Sequence, residues 1–122
     1  MSSLTFSLRE APAQRLDLSP LIAQNLAGKT VAEIERIEVG TTRVRVTAGD
    51  VFRILEGDPD SILIEGGAER FDRVGMGMTS GAIRVEGEVG VEAGRLMSGG
   101  ALTIGGDAGP FAGRGRRFRH RD

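Results

Sequence analysis

The chain of 122 residues has no cysteine, no tryptophan and no tyrosine, and its single histidine is His120. Without cysteine there are no disulfides, thiolate metal sites or cysteine nucleophiles. A lone histidine near the end leaves the serines of the body without a base, so Ser–His hydrolysis is excluded. No group of side chains has metal-ligand spacing either. With only five phenylalanines, aromatic surface for stacking bases is scarce, and nucleic acid is not the expected partner. No apolar run approaches the roughly 20 residues of a membrane helix. Met1 to Phe6 shows no basic segment followed by an apolar one, so no secretory signal is visible. The expected setting is cytoplasmic, away from membranes.

What the chain does have is glycine, 19 residues in all, with four in residues 1–63 and fifteen in residues 64–122. Charge is equally uneven. The formal net charge is −1, yet Arg114, Arg116, Arg117, Arg119 and Arg121 fall in the last nine residues. Removing that tail leaves 11 basic against 16 acidic residues, so the body is acidic.

Leu4, Phe6 and Leu8 alternate with Thr5 and Ser7, the pattern of a half-buried strand, and Arg15-Leu16-Asp17-Leu18 repeats it before Ser19-Pro20. Thr30-Val31-Ala32-Glu33 fits a capping box, predicting one short helix that carries Val31, Ile34 and Ile37 on one face and ends at Gly40. Val44–Val46 and Val51–Ile54 read as a hairpin around Ala48-Gly49-Asp50, and Gly57–Asp60 as a further turn.

From Ile62 onward the chain repeats. Gly75, Met78, Gly81, Ala82, Gly87 and Gly90 recur nineteen residues later as Gly94, Met97, Gly100, Ala101, Gly106 and Gly109, and Ile83 and Val85 recur as Leu102 and Ile104. Ile62-Leu63-Ile64-Glu65-Gly66 is a looser copy. A period of about twenty residues is a solenoid signature. Stacking would place Ile62, Ile83 and Leu102 in one inward ladder, with Ile64, Val85 and Ile104 beside it. The expected turning points are Gly75, Gly81, Gly87, Gly90, Gly94, Gly100, Gly106 and Gly109, where positive φ carries little steric cost.

Other readings of these glycines fail. Gly105-Gly106-Asp107-Ala108-Gly109 lacks the Lys-Ser or Lys-Thr of a phosphate loop. Gly75, Gly77 and Gly81 lack the spacing of a dinucleotide fingerprint. Calcium-binding nonapeptides repeat every nine residues or so, not every nineteen. No catalytic, cofactor-binding or metal-binding residue is expected. The division expected is 1–60 for strands and a helix, 61–113 for stacked coils, and 114–122 for a basic tail without fixed structure. That tail could also attract nucleic acid or an acidic partner to a free-standing interaction module, the competing reading.

Arg15 to Pro20, Gly49-Asp50-Val51-Phe52, Arg73 to Met78, Ile83 to Gly87, Ala93 to Met97 and Gly106 to Gly113 together resemble the C subunit of formylmethanofuran dehydrogenase, including the form in the formyltransferase/hydrolase complex of methylotrophic bacteria. The likeness runs from Leu4 to Gly113. It implies an all-β chain wound as a right-handed parallel β-helix, like the C-terminal domain of glutamate synthase, after N-terminal strands and one short helix. It implies a non-catalytic structural member of a one-carbon (formaldehyde-oxidising) complex. That complex would link formyl-tetrahydromethanopterin to formate through a methanofuran-type carrier. Molybdenum, tungsten or zinc would sit only in partner subunits, and the partners would be the other subunits. Family members continue in glycine-rich coils past the position of Gly113, so this chain is expected to be truncated there, with Ala101–Ile104 left as an open edge strand.

Overall fold

A computed structural model of the chain describes residues 2–106 and, for the backbone alone, Phe118–His120. Eight strands and three short helices are described: β1 Ser3–Leu8, β2 Leu16–Asp17, α1 Ala23–Leu26, α2 Val31–Glu35, α3 Ala48–Val51, β3 Phe52–Leu55, β4 Asp58–Glu65, β5 Phe71–Asp72, β6 Ala82–Val85, β7 Ala101–Ile104 and β8 Phe118–His120. The main sheet has the order β3-β1-β4-β6-β7-β8, and β2 and β5 form a separate pair.

Alternation dictates β1. Leu4 and Phe6 turn inward and are buried, while Ser3, Thr5 and Ser7 are half-exposed. The strand is paired on both sides, antiparallel to β3 and parallel to β4. The register then runs on in parallel: Leu4 opposite Ile62, Ile62 opposite Ile83, and Ile83 opposite Leu102. Phe6, Ile64, Val85 and Ile104 line up in the same way. Both inward columns are buried.

These columns pack into one continuous core with Leu16, Leu18, Leu21, Ile22 and Leu26. Phe71 of β5 also faces it. Its ring lies 5.5 Å from that of Phe52, which meets Phe6 edge-on at 5.6 Å. Three aromatic side chains thereby tie β1, β3 and β5 together, each pair adding about 1 kcal/mol beyond its burial.

The expected all-β, right-handed parallel β-helix is not what the chain forms. The main sheet is mixed, because β1 and β3 are antiparallel, and three helices are present where one was expected. The physical cause lies in the first sixty residues. β1 joins the same sheet as the glycine-rich strands instead of preceding them, and three short helices form at 23–26, 31–35 and 48–51.

Several local expectations change with it. The capping box forms at α2, where the Glu33 amide donates to Thr30 Oγ1 at 3.2 Å and the Thr30 amide to Glu33 Oε1 at 2.9 Å. The helix stops at Glu35, however, and Gly40 lies beyond it in a bridge to Leu16. The hairpin around Ala48-Gly49-Asp50 is instead α3. There Thr47 repeats the same chemistry, its amide donating to Asp50 Oδ2 at 3.0 Å. Gly57–Asp60 is not a separate turn, since β4 already begins at Asp58. β7 is not an open edge: Leu102, Thr103 and Ile104 pair in parallel with Phe118, Arg119 and His120. Residues 114–117 and 121–122 of the basic tail lie outside the described residues.

Ile64 is 1% exposed at the centre of one column, between Phe6 and Val85. Ile64→Ala is expected to lower unfolding free energy by about 2–5 kcal/mol. Leu63→Ala, on the opposite face of the same strand, is expected to cost well under half as much. Urea denaturation of the two variants measures the difference.

Candidate functional site

Four of the five ion pairs among the described residues lie on one flank, where β2 and β5 run in parallel with Leu16 opposite Phe71 and Asp17 opposite Asp72. Both strands are only two residues long, so they owe their place to what surrounds them. Leu16 and Phe71 anchor one side in the core. On the other side Arg15 closes on Asp72 through two hydrogen bonds of 2.8 Å, Nε to Oδ2 and Nη2 to Oδ1. Nη2 also donates to the Glu69 carbonyl at 2.7 Å, and the Val91 amide donates to Asp72 Oδ1 at 3.0 Å.

Asp72 is 9% exposed. Burial alone would raise its pKa. The paired Arg15 guanidinium, the Val91 amide and the charges of Arg15 and Arg73 outweigh that effect and hold its carboxyl below the usual carboxylate value. Gly90 makes room for the pair, because a Cβ there would collide with Asp72 Oδ1 and the Glu69 carbonyl.

A second ionic chain continues along the same flank. Arg73 reaches Asp17 Oδ2 with Nη1 at 3.4 Å and Glu92 Oε1 with Nε at 3.3 Å, and Arg95 pairs with the other oxygen of Glu92. These arginine side chains are about two-fifths exposed, so each contact contributes no more than about 1 kcal/mol. Their arrangement reflects the backbone. Arg73 and Glu92 both hold positive φ, at 58° and 61°, and Leu96 does so at 59°. The Arg73 amide donates to the Val91 carbonyl at 2.9 Å, and the Gly94 amide to the Val74 carbonyl at 2.8 Å. Successive turns are thus held one above another.

Of the glycines singled out in the sequence, Gly75, Gly81, Gly94 and Gly100 have positive φ. Gly87, Gly90 and Gly106 do not, and each lies where a Cβ would strike neighbouring atoms. Gly109 lies outside the described residues. None of the seven described positions presents a reactive group, and they are spread along the stacked turns. The residues that sequence reasoning missed are Arg15, Asp17, Asp72, Arg73, Glu92 and Arg95. Their pairing bridges up to 57 positions, and the one local signal was the acid–base pair Glu92 and Arg95 at i,i+3.

Chemically this flank is a closed set of ion pairs. Among the described residues no group of three or more His, Asp or Glu side chains is placed to hold a metal ion. The residues present therefore do not fit a molybdenum, tungsten or zinc centre in the described part of this chain. No described helix is long and apolar enough to cross a membrane. A cleft of about 480 Å³ beside α2, whose lining includes Leu4, Lys29, Thr30, Val31, Glu56 and Pro59, brings together one cation, one carboxylate and the Thr30 hydroxyl, which is already engaged in capping α2.

No protein-family model matches the chain. The C subunit of the formyltransferase/hydrolase complex (Fhc) of Methylorubrum extorquens is 45% identical over 86 residues, covering 70% of this chain and 32% of that protein. The C subunit of tungsten-containing formylmethanofuran dehydrogenase 2 from Methanothermobacter thermautotrophicus is 32% identical over 99 residues, or 77% of this chain and 37% of the relative. One chain in the crystal structure of the formyltransferase/hydrolase complex (FhcABCD) from Methylorubrum extorquens, in complex with methylofuran, superposes with a TM-score of 0.75. It is 37% identical, and the match covers 86% of this chain and 47% of that one.

The chain belongs to the C-subunit family of these complexes. It spans about a third of the length of the curated relatives that it matches. Among the described residues, Asp72 of the Arg15–Asp72 clip is the buried charged side chain.

Two outcomes are expected at the clip. Gly90→Ala should destabilise the fold by at least about 2 kcal/mol, since neither a backbone carbonyl nor a paired carboxylate can yield cheaply. Thermal melting reads that loss. The second outcome concerns pH. A carboxyl whose pKa is lower in the folded than in the unfolded chain stabilises fully above the unfolded value, about 3.9. That stabilisation is lost as pH falls through the depressed folded value. Urea titrations between pH 6 and about 2 should therefore show an acid-side loss in wild type that is reduced in Asp72→Asn. Equal slopes in the two proteins would count against the clip.

Proposed function

We propose that the chain is a non-catalytic structural subunit of a formyltransferase/hydrolase-type complex in one-carbon metabolism. The observation that carries this reading is the 45% identity to the Methylorubrum extorquens relative over 86 residues, supported by the TM-score of 0.75 against one chain of a crystallised FhcABCD complex. The composition agrees with a structural role. Among the described residues no buried side-chain polar atom lacks a partner, and the ionic groups of the β2–β5 flank pair with one another.

In this reading the other subunits carry the reaction centres, with molybdenum, tungsten or zinc held there. The assembly passes a formyl group from formyl-tetrahydromethanopterin to formate by way of a methanofuran-type carrier. The contribution of this chain is geometric: a rigid stack of short strands that holds catalytic neighbours at fixed separations. The glycines at 75, 81, 87, 90, 94, 100 and 106 serve the stack and take no part in chemistry.

Co-expression tests the proposal. A tagged full-length chain should recover the other subunits of its complex in fixed ratio through size-exclusion chromatography. The purified chain alone should release no formate from a formylated carrier. Recovery of the chain free of those subunits would overturn the reading.

A further inference from the structure

We propose that α1 is the end cap of the stacked turns, and that the Gln24 carboxamide stands in for a peptide group of the turn that is missing beneath residues 77–79. The inference concerns how the stack is closed and holds whether or not the chain serves as a subunit.

The turns are joined by main-chain hydrogen bonds that recur with the repeat. Above residues 77–79, the Gly77 amide donates to the Arg95 carbonyl at 2.9 Å, and the Ser98 amide donates to the Met78 carbonyl at 3.0 Å. Thr79 precedes Ser98 by nineteen positions, so its amide is the equivalent donor one layer earlier. Among the described residues no equivalent turn lies below to receive it. The residues nineteen positions before 73–79 are 54–60, and most of these belong to β3 and β4.

A side chain takes the place of that turn. The Thr79 amide donates to Gln24 Oε1 at 3.0 Å, and Gln24 Nε2 donates to the Gly77 carbonyl at 2.9 Å. The first distance equals that from the Ser98 amide to the Met78 carbonyl. A carboxamide carries a carbonyl and an N–H donor, the same two functions as a peptide group. A carboxylate in its place could only accept, and an ammonium could only donate.

Packing sets α1 where it can do this. Ala23 and Leu26 are buried, and a Cβ on Gly81 would lie only 2.8 Å from the Ala23 Cβ. The helix therefore rests directly against the glycine-rich turn, with Gln24 on its exposed side. Stacked repeats need a different unit at each end, because an end layer has main-chain groups with no neighbouring layer to pair with. Here that unit comes from 53 to 55 positions upstream. The capped turn also carries the Gly77 amide and the Met78 carbonyl that receive the next layer. Gln24 thus acts on Thr79 directly and on Ser98 through the turn between them.

Amide hydrogen exchange of the full-length chain, followed residue by residue by NMR, tests the cap. Exchange at Thr79 should quicken about tenfold or more in Gln24→Ala. Ser98 should quicken by a smaller factor, and Glu86, whose amide donates to the Ile64 carbonyl within the sheet region, should keep its wild-type rate. Gln24→Glu retains an acceptor for Thr79 but no donor for Gly77, so its Thr79 rate should fall between the two. Asn25→Ala is the control, since that side chain bonds the Pro20 carbonyl of its own segment. Gln24 is exposed, so neither replacement leaves a buried void. An unchanged Thr79 rate in Gln24→Ala would overturn the proposal. Equal acceleration at Thr79, Ser98 and Glu86 would make Gln24 a contributor to global stability alone and would overturn it as well.

Discussion

Two buried columns of side chains, Leu4–Ile62–Ile83–Leu102 and Phe6–Ile64–Val85–Ile104, set the terms for everything else in this molecule. β6 and β7 are only four residues long and cannot bury an apolar face alone. They acquire one by lying in register on a neighbour, where each pair of inward side chains removes the other from water. In-register parallel pairing then dictates the connections. The chain must leave each strand, travel around the core and return beside its starting point, so the turns of one layer come to rest on those of the layer before. The cost of that return is visible at Arg73, Glu92 and Leu96, which hold a left-handed conformation that disfavours ordinary side chains by about 1–2 kcal/mol each. The inter-layer hydrogen bonds at Arg73, Gly94 and Ser98 offset it.

The same stacking separates the surface into two kinds. On the β2–β5 flank, residues at equivalent points of successive turns carry opposite charges and satisfy one another, as Arg73 and Glu92 do. Nothing there is left for a ligand. On the main sheet the outward positions mix short residues such as Thr5, Ala82 and Thr103 with charged ones, Arg53, Glu65 and Arg84. On the β2–β5 flank the ionic groups are engaged in holding successive turns together, and the glycines at 87, 90 and 106 sit against neighbouring atoms. A site for chemistry would instead require a polarised, partly unsatisfied cluster of groups, and the described residues assemble none.

Much of the stacked region was legible in the residues themselves. Period-two alternation named β1, β4, β6 and β7, and the spacings of 21 and 19 residues between Ile62, Ile83 and Leu102 named their register, because they bring apolar residues together on successive strands. The capping box at Thr30 was legible for the same local reason. An equivalent Thr-x-x-acid signature stands at Thr47–Asp50, but the valines on either side of it fit a hairpin equally well. The β-helix expectation failed at the N-terminal side, where nothing local announces that β1 inserts between β3 and β4 and makes the sheet mixed.

The amino-acid sequence by itself determined which faces of the strands are apolar, where the helical turns begin, and which family the chain resembles. Each of these depends on neighbours within a few residues or on a pattern repeated along the chain. Only the tertiary structure decided the Arg15–Asp72 clip, the need for glycine at position 90, and the left-handed turns at Arg73, Glu92 and Leu96. The clip alone joins groups 57 positions apart. Whether a carboxylate finds its arginine is settled by how the layers stack and not by any order of residues along the chain.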